Sequence, residues 1–436
     1  MKIKNDIKWL KEKGFITEVK TPDTLTTKSQ LNKYVGQIVP SNNIFDSKIK
    51  PLGEYLTFEF LENGNFSFSK DGLSYSLDNG TSWNTLSANT NITVSNGDKV
   101  LFRGEYTNTT TSIGKFSMTG KFNISGNIMS LLFGDNFVDK TDLTGYGSAF
   151  DHLFEGTAVV DASKLVLPAT TLANYCYGRM FYNCASLTAA PELPATTLAP
   201  NCYNSMFSKC TSLTTAPELP ATTLAQSCYN GMFWRCTSLT TAPELPATEI
   251  ADSCYSNMFN GCTSLTVAPE LPATNLEGYC YTGMFQGCTS LTAAPELPAT
   301  TVTSDCYYNM FQGCTSLTTA PKILPATELE YMCYFGMFSD CTSLTTAPEL
   351  PAATLTSSCY SNMFYSCSKL NYIKAMFVAI PSSLYSTNNW VSGVSRTGTF
   401  VKNAAATWDV TGDSGIPEGW DVMTVVVDAP AQPLNA

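Results

Sequence analysis

The chain has 436 residues, which is enough for two or three domains and a large buried core. Charged residues make up 14 % of it and the formal net charge is −11, which argues against nucleic acid and anionic membranes as partners. Ser, Thr, Asn and Tyr are left to cover the surface, and such a surface suits contacts with proteins or glycans.

Residues 1–50 are predicted to form a helical N-terminal attachment segment. Two short helices are expected, "KNDIKWLKEK" and "TTKSQLNKYVG", neither of which has a core of its own. The first residues lack the apolar run of a signal peptide, so we expect a chain that does not enter the Sec pathway. No later stretch has the length and hydrophobicity of a membrane span, and no membrane insertion is expected.

Residues 51–128 are predicted to form a small antiparallel β-domain. Apolar residues alternate in "LTFEFLENGNFSFS", "LSYSLDNGTSW" and "ITVSNGDKVLFRG", and Asn-Gly turns join these segments. Residues 76–83, "SLDNGTSW", match the S-x-D-x-G-x-x-W pattern of the Asp-box found in sialidase-like propellers. A single copy predicts a hairpin turn, and it is the one feature that favours a glycan-active enzyme.

Residues 129–385 are predicted to be a repeat domain. The unit LPATxLxxxCYxxMFxxCTSLTxAPE occurs eight times with a period of 26 residues and one step of 27. A degenerate copy precedes these units, with Ala149 and Thr157 at the cysteine positions, and is interpreted as a cap. All sixteen cysteines lie in the eight regular units: Cys176, Cys184, Cys202, Cys210, Cys228, Cys236, Cys254, Cys262, Cys280, Cys288, Cys306, Cys314, Cys333, Cys341, Cys359 and Cys367.

Each unit is expected to contain one short helix and one short strand. Thr223 could cap a helix in which Leu224, Cys228 and Met232 follow at helical spacing and face the core. The return segment is expected to pair with its neighbours over about four residues, near 212–215, because the prolines that follow lack a donor. Stacked units would form a solenoid with a continuous core.

Residues 386–436 are predicted to be a C-terminal cap and tail, with Trp390, Trp408 and Trp420 in a Gly-rich stretch. The predicted fold class is therefore an α+β repeat protein, a solenoid of about eight units with caps, preceded by the β-domain and the helical segment.

The run Met-Phe-x-x-Cys-Thr-Ser-Leu-Thr resembles the BspA-type leucine-rich repeat, and the resemblance covers roughly residues 145–380. The Ala-Pro-Glu-Leu-Pro segment departs from the family pattern, which more often has Ile alternating along a strand. The resemblance implies a protein of a bacterial cell surface or, since similar units occur there, of a phage particle.

The cysteines are interpreted as two columns of buried free thiols. One histidine in the chain and a seven-residue gap between paired cysteines match no zinc spacing. Disulfides between neighbouring units stay open as an alternative, because the distance between stacked units would permit them.

A column of glutamates recurs at one position of the repeat, with a lysine in one unit: Glu192, Glu218, Glu244, Glu270, Glu296, Lys322 and Glu349. Two interpretations stay open. The carboxylates could be solvated on a rim, or they could form weak Ca²⁺ sites together with Thr oxygens.

Candidate ligand contacts are residues that vary between otherwise uniform units. Exposed aromatics beside an arginine are typical of binding hot spots and sugar platforms, whereas neutral variation of an outer face is the alternative. The candidates are Tyr182, Trp234, Arg235, Gln286, Gln312 and Tyr365. No catalytic set, phosphate loop or metal motif occurs, so neither a cofactor nor an enzyme activity is expected.

The expected function is structural and recognitive. The favoured hypothesis is a phage virion component, a head or tail fibre or decoration, assembled in the host cytoplasm and exposed on the particle. Residues 1–50 would bind other virion proteins, and the repeats would bind a host surface protein or glycan; a homo-oligomer is possible by analogy with fibres. A bacterial cell-surface adhesin is the alternative.

Overall fold

The computed structural model describes residues 54–426 of the chain; the two helices predicted within residues 1–50 lie outside this range. The described elements are β1 (Leu56–Phe60), β2 (Gly64–Phe68), β3 (Leu73–Ser76), β4 (Asn84–Leu86), β5 (Ile92–Val94), β6 (Lys99–Gly104), β7 (Phe116–Thr119), β8 (Phe122–Asn127), α1 (Ser130–Phe133), a 3-10 turn (Gly134–Asn136), β9 (Val159–Val166), β10 (Tyr372–Ala375), β11 (Thr399–Asn403) and β12 (Asp421–Val425).

Two sheets form the β-domain. One has the strand order β4-β3-β6-β1-β8-β9 and the other the order β5-β2-β7. The alternation in β1 directs Leu56, Phe58 and Phe60 into the core, where they are fully buried. Phe58 contacts Phe102 and Phe116, with ring centroids 4.5 and 4.9 Å apart, so an aromatic cluster holds the two sheets together.

The six-stranded sheet continues across the boundary that the sequence placed at residue 128. Its strands pair antiparallel except for β8 and β9, which are parallel. Strand β9 belongs to the degenerate unit, and Asp161 in it bridges to Ala189 of the first regular unit. The β-domain and the repeats therefore share backbone hydrogen bonds.

The prediction of a short helix in each repeat was wrong. Residues 225–236 form consecutive turns, in which every fourth residue has a positive φ: Ser227 at 51°, Gly231 at 58° and Arg235 at 57°. A right-handed α-helix cannot include such residues. Backbone N–H groups alternate between two kinds of acceptor instead. Met232 donates to Tyr229 in its own turn, and Phe233 donates to Met258 of the next repeat.

We call this segment the turn ribbon (residues 225–236 and the equivalent residues of the other repeats). Its period of four residues buries Cys228, Met232 and Cys236 on the same face as a helix would, together with Tyr229 and Phe233. The hydrogen bonds to the next repeat make the ribbon a ladder along the whole stack.

Buried aromatic side chains form two columns. Tyr203 and Tyr229 stack with centroids 5.9 Å apart and ring planes 5° apart, and Phe207 and Phe233 stack at 5.8 Å and 7°. The columns begin at Phe150 and Phe154 of the degenerate unit, which pack on Tyr177 and Phe181. The repeats thus share one continuous core.

Outside the turn ribbon, neighbouring repeats pair over fewer residues than the four that were expected. Single parallel bridges join Thr197 to Thr223 and Thr215 to Thr241. Prolines such as Pro217 supply no N–H donor, so the pairing does not extend into a strand.

The stack ends on a tryptophan-rich C-terminal unit with the parallel sheet β10-β11-β12. Trp390 is fully buried beneath Tyr360 and Phe364, and its indole N–H donates to the Gly415 carbonyl at 2.8 Å. It closes both aromatic columns. Between residues 54 and 426, no helix combines the length and apolar character that crossing a membrane requires.

Candidate functional site

The outer face of the turn ribbon carries one variable position directly after the Phe of each repeat. In chain order this position holds Tyr182, Ser208, Trp234, Asn260, Gln286, Gln312, Ser339 and Tyr365. The serines are buried at this position, the amides and Tyr182 and Trp234 are half-buried, and Tyr365 is 42 % exposed.

Tyr182 and Trp234 lie two repeats apart, with Ser208 between them. The Lys209 ammonium lies 5.1 Å from the Tyr182 ring centroid and 5.2 Å from that of Trp234. The Arg235 guanidinium lies 4.7 Å from the Trp234 ring. Two aromatic rings and two cations are therefore in direct contact on the surface of the first three regular repeats.

Tyr182 and Trp234 border an open groove of about 660 Å³, which we call the aromatic groove. Ser205, Ser208 and Gly231 lie in its lining between Tyr182 and Trp234. A Cβ at Gly231 would lie 3.2 Å from the Ser205 hydroxyl, and the φ of Gly231 is +58°. Glycine therefore suits the backbone and keeps the lining free of a side chain there.

The lining also contains a row of amides. Asn204 and Asn230 occupy the same position in successive repeats, and Asn257 lies one residue further on in the next. The degenerate unit supplies His152 and Glu155 at the other end. His152 lies 2.9 Å from Asp151 through Nδ1, so it is oriented by a carboxylate outside the lining.

Two buried polar atoms of the lining have no hydrogen-bond partner within residues 54–426. They are the Ser208 hydroxyl and the Arg179 Nε. Ser208 is only 1 % exposed. Because buried polar atoms are nearly always paired, these two atoms mark places where a ligand or water would bond.

The aromatic groove brings together three of the six candidate contacts predicted from the sequence, counting Arg235 at its edge. Gln286 and Gln312 lie elsewhere, in an amide ladder: Asn260 donates to Gln286 at 2.8 Å, and Gln286 donates to Gln312 at 2.6 Å. Tyr365 lies at the same position as Tyr182, seven repeats later.

The lining also contains charged and amide residues that variation after the Phe did not single out: Arg179, Asn204, Asn230 and Asn257. Lys209 was not singled out either, and its ammonium lies beside the two rings that border the groove. A signal for the cations was present. Arg179, Lys209 and Arg235 are the only Arg or Lys residues between residues 165 and 321, and they fall in three successive repeats.

All sixteen cysteines are buried and free in the structure. The second cysteine of each repeat donates its thiol to the Phe carbonyl of the preceding repeat, as Cys236 does to Phe207 at 3.0 Å. In the degenerate unit, Thr157 lies 3.6 Å from the Cys184 sulfur. Burial raises the pKa of the Cys228 and Cys236 thiols to about 12, which keeps them protonated.

The glutamate column shows local partners where it meets lysine. The Lys322 backbone N–H donates to the Glu296 carboxylate at 3.3 Å, and the Lys374 ammonium lies 3.0 Å from Glu349. Over the part of the chain that the structure describes, no group of three or more His, Cys, Asp or Glu side chains could hold a metal ion.

The Asp-box pattern forms the turn between β3 and β4. Asp78 accepts hydrogen bonds from the Ser82 hydroxyl at 2.6 Å, the Ser82 N–H at 2.8 Å and the Ser76 hydroxyl at 2.7 Å. These bonds lower the pKa of Asp78 to about 2. The carboxylate is thus engaged in shaping the turn.

Comparison with known families gives one match, to the family described as BspA type Leucine rich repeat region (6 copies), over residues 170–318 and 278–391. Together these ranges span more than half of the chain. Comparisons with curated proteins and with solved structures gave no match. On its repeats, the chain belongs to the BspA-type leucine-rich repeat family.

Proposed function

We propose that the protein is a non-enzymatic recognition protein and that the aromatic groove is its contact with a host-cell surface. Repeats of the BspA type are typically binding modules and are usually surface-exposed. A recognition role therefore agrees with what repeats of this family usually do, and the aromatic groove is the proposed binding site on this chain.

The observation that carries the proposal is the contrast between the interior and the outer face of the turn ribbon. The buried positions repeat the same Cys, Tyr, Met and Phe from unit to unit. Across the eight repeats, the outer position after the Phe holds five polar residues and three aromatics. The two aromatics nearest the β-domain border the groove. Side chains that the stack does not require are those free to serve a ligand.

We infer further that the protein is a virion component, a head or tail fibre or decoration, which residues 1–50 attach to other virion proteins. Sixteen buried thiols without a disulfide in the described residues support this assignment. A chain that folds in a reducing compartment keeps such thiols, and virions assemble in the host cytoplasm. A bacterial cell-surface adhesin is the second candidate, favoured by the usual location of BspA-type repeats.

Immunogold labelling separates the two candidates. An antibody raised against the purified chain is applied to purified phage particles and, in parallel, to envelopes of uninfected bacteria. We expect gold on the particles and none on the envelopes. Labelling of the envelopes alone would replace the virion with the adhesin, whereas the recognition role of the groove would be unaffected.

A further inference from the structure

Positive charge in the repeats is concentrated at the aromatic groove. Between residues 165 and 321 the chain has nine acidic residues and three basic ones, Arg179, Lys209 and Arg235. Arg179 lines the groove, Lys209 lies between its two rings and Arg235 lies against Trp234. In a chain of net charge −11, this is a local site that favours an anion.

These three cations are not neutralised by the protein. Within residues 54–426, none of them forms an ion pair with a carboxylate. Asp151 attracts the Arg179 guanidinium, although the two side chains do not form an ion pair. An incoming carboxylate could therefore pair with Lys209 or Arg179 without displacing an existing partner.

The remaining groups match a sugar ring. Two aromatic rings flank a polar lining, and aromatic faces pack against the C–H faces of sugars while side-chain amides bond their hydroxyls. The Asn230 amide makes no side-chain hydrogen bond within the described part of the chain, and the second amide of the row, Asn204, accepts one from Ser205. The unpartnered Ser208 hydroxyl belongs to the repeat between those of Tyr182 and Trp234, and Ser208 lies in the lining of the groove.

Backbone pairing with an acidic peptide is a poorer fit. A bound peptide strand needs free backbone N–H groups along an edge. In the groove, Arg179 donates its N–H to Asn204, Ser205 to Asn230 and Gly231 to Ser256, and each of these bonds joins neighbouring repeats. The groove thus offers side chains for recognition and no strand edge.

We propose that the aromatic groove binds an acidic saccharide, a glycan that carries carboxylate groups. Tyr182 and Trp234 hold the sugar rings, Lys209 and Arg179 pair with the carboxylate, and the Ser208 hydroxyl and the asparagine amides bond the sugar hydroxyls. This inference rests on the proposed recognition function and names the ligand class of the same site.

Calorimetric titration of the full-length protein tests the ligand class. The probes are tetragalacturonate and sialyllactose, each with its neutral counterpart, the tetragalacturonate methyl ester and lactose, and hexaglutamate as an acidic peptide. We expect at least one acidic saccharide to bind, with its neutral counterpart at least about tenfold weaker. Raising the salt from ~0.02 M to ~0.5 M should weaken binding, because the carboxylate contacts are screened. Absence of binding by both acidic saccharides, or equal binding of hexaglutamate, would overturn the proposal.

Three variants assign the binding to the groove, each using a residue that the same position of another repeat already contains. Trp234→Ser copies Ser208, and Lys209→Asn copies Asn183, which has the same positive φ. Each of these two substitutions should lower the affinity for the acidic saccharide by about tenfold. Tyr365→Ser, the aromatic at the same position outside the groove, is the matched control and should bind like the wild type. Unchanged circular dichroism and melting show that each variant folds.

A cell-binding assay separates the proposed recognition function from the proposed ligand class. Wild-type protein that binds host cells but no acidic saccharide would leave the recognition function standing and remove the ligand class. Protein that binds an acidic saccharide through Trp234 but binds no cell would support the site and count against the proposed function.

Discussion

Two cysteines in each repeat serve the stack in different ways. The first column, which includes Cys228, packs as a small apolar side chain. The second donates a hydrogen bond to a backbone carbonyl of the preceding repeat, in all eight regular units. That bond is the second one to a buried carbonyl, since Phe207 also accepts the Cys210 N–H of its own repeat. A thiol therefore adds a hydrogen bond between repeats that an alanine would lack.

Thiol titration tests this account of the cysteines. In the native protein at pH 8, almost none of the thiols should react with a thiol reagent, because burial raises the thiol pKa and excludes the reagent. In denaturant without reductant, all sixteen thiols should react. A count near zero in denaturant would show that disulfides link the repeats.

The candidate site was predictable from the sequence in part. Tyr182, Trp234 and Arg235 stand out because they break a uniform pattern, and the structure places them together. Lys209 occupies the same repeat position as Arg235, but it follows Ser208 where Arg235 follows Trp234, so no neighbouring aromatic drew attention to it. Arg179 lies before the Met-Phe pair, outside the position that was compared between repeats. Gln286 and Gln312 vary as Trp234 does, yet they bond each other along the stack. Variation does not distinguish a ligand contact from a contact between repeats.

The turn ribbon explains why the repeat period was predictable and the local backbone was not. Apolar residues four apart fit both a helix with 3.6 residues per turn and a ribbon with a period of four. The difference lies in φ at every fourth residue, where the regular repeats have Asn, Gly, Ser, Asp, Lys, Arg, Tyr and Met. Asn, Asp and Gly favour the left-handed region, but Ser, Lys, Arg, Tyr and Met do not, so they gave no sign of it in the sequence.

Substitution at Asn309 tests the ribbon geometry. Asn309 has a φ of 52°, and the equivalent residues of the two neighbouring repeats are Gly283 and Gly336. Asn309→Val should lower the free energy of unfolding by about 1–2 kcal/mol, because a β-branched residue is strained at this φ. Asn309→Gly is the matched control and should change it by less than about 1 kcal/mol. Urea unfolding followed by circular dichroism measures both; equal effects of valine and glycine would argue for a helical backbone.

At the scale of the whole molecule, one core runs from the β-domain to the C-terminal tryptophans. Strand β9 ties the six-stranded sheet to the first regular repeat, and Trp390 closes the far end. In the sequence, the degenerate first unit and the tryptophan-rich last one stand out because they break the period. The pairing of β8 with β9 could not be predicted from the sequence. It joins, in parallel, a strand of the alternating β-domain to a strand of the degenerate repeat.

The continuous buried core makes stability sensitive to alkaline pH. Cys228, Cys236, Cys306 and Cys314 have pKa values raised to about 12 by burial, and burial also raises the pKa of Tyr229. Unfolded thiols titrate near ~8.5, so above that pH the unfolded state binds fewer protons than the native state.

Stability should therefore be fully present below about pH 8.5 and fall as the pH rises toward 12, by up to about 1.4 kcal/mol per pH unit for each buried thiol. Calorimetric Tm values between pH 7 and 11, measured with reductant, check this. A Tm that stays constant across that range would contradict the buried-thiol core.

Cell binding by the aromatic groove is the central claim, and flow cytometry tests it most directly. Host cells are titrated with three fluorescently labelled proteins over the same concentration range: the wild type, Trp234→Ser and Tyr365→Ser. Circular dichroism checks that each protein is folded. We predict saturable binding by the wild type and by Tyr365→Ser, and binding about tenfold weaker for Trp234→Ser, because Trp234 is one of the two half-buried aromatics that line the groove. Equal binding by all three proteins would contradict the account.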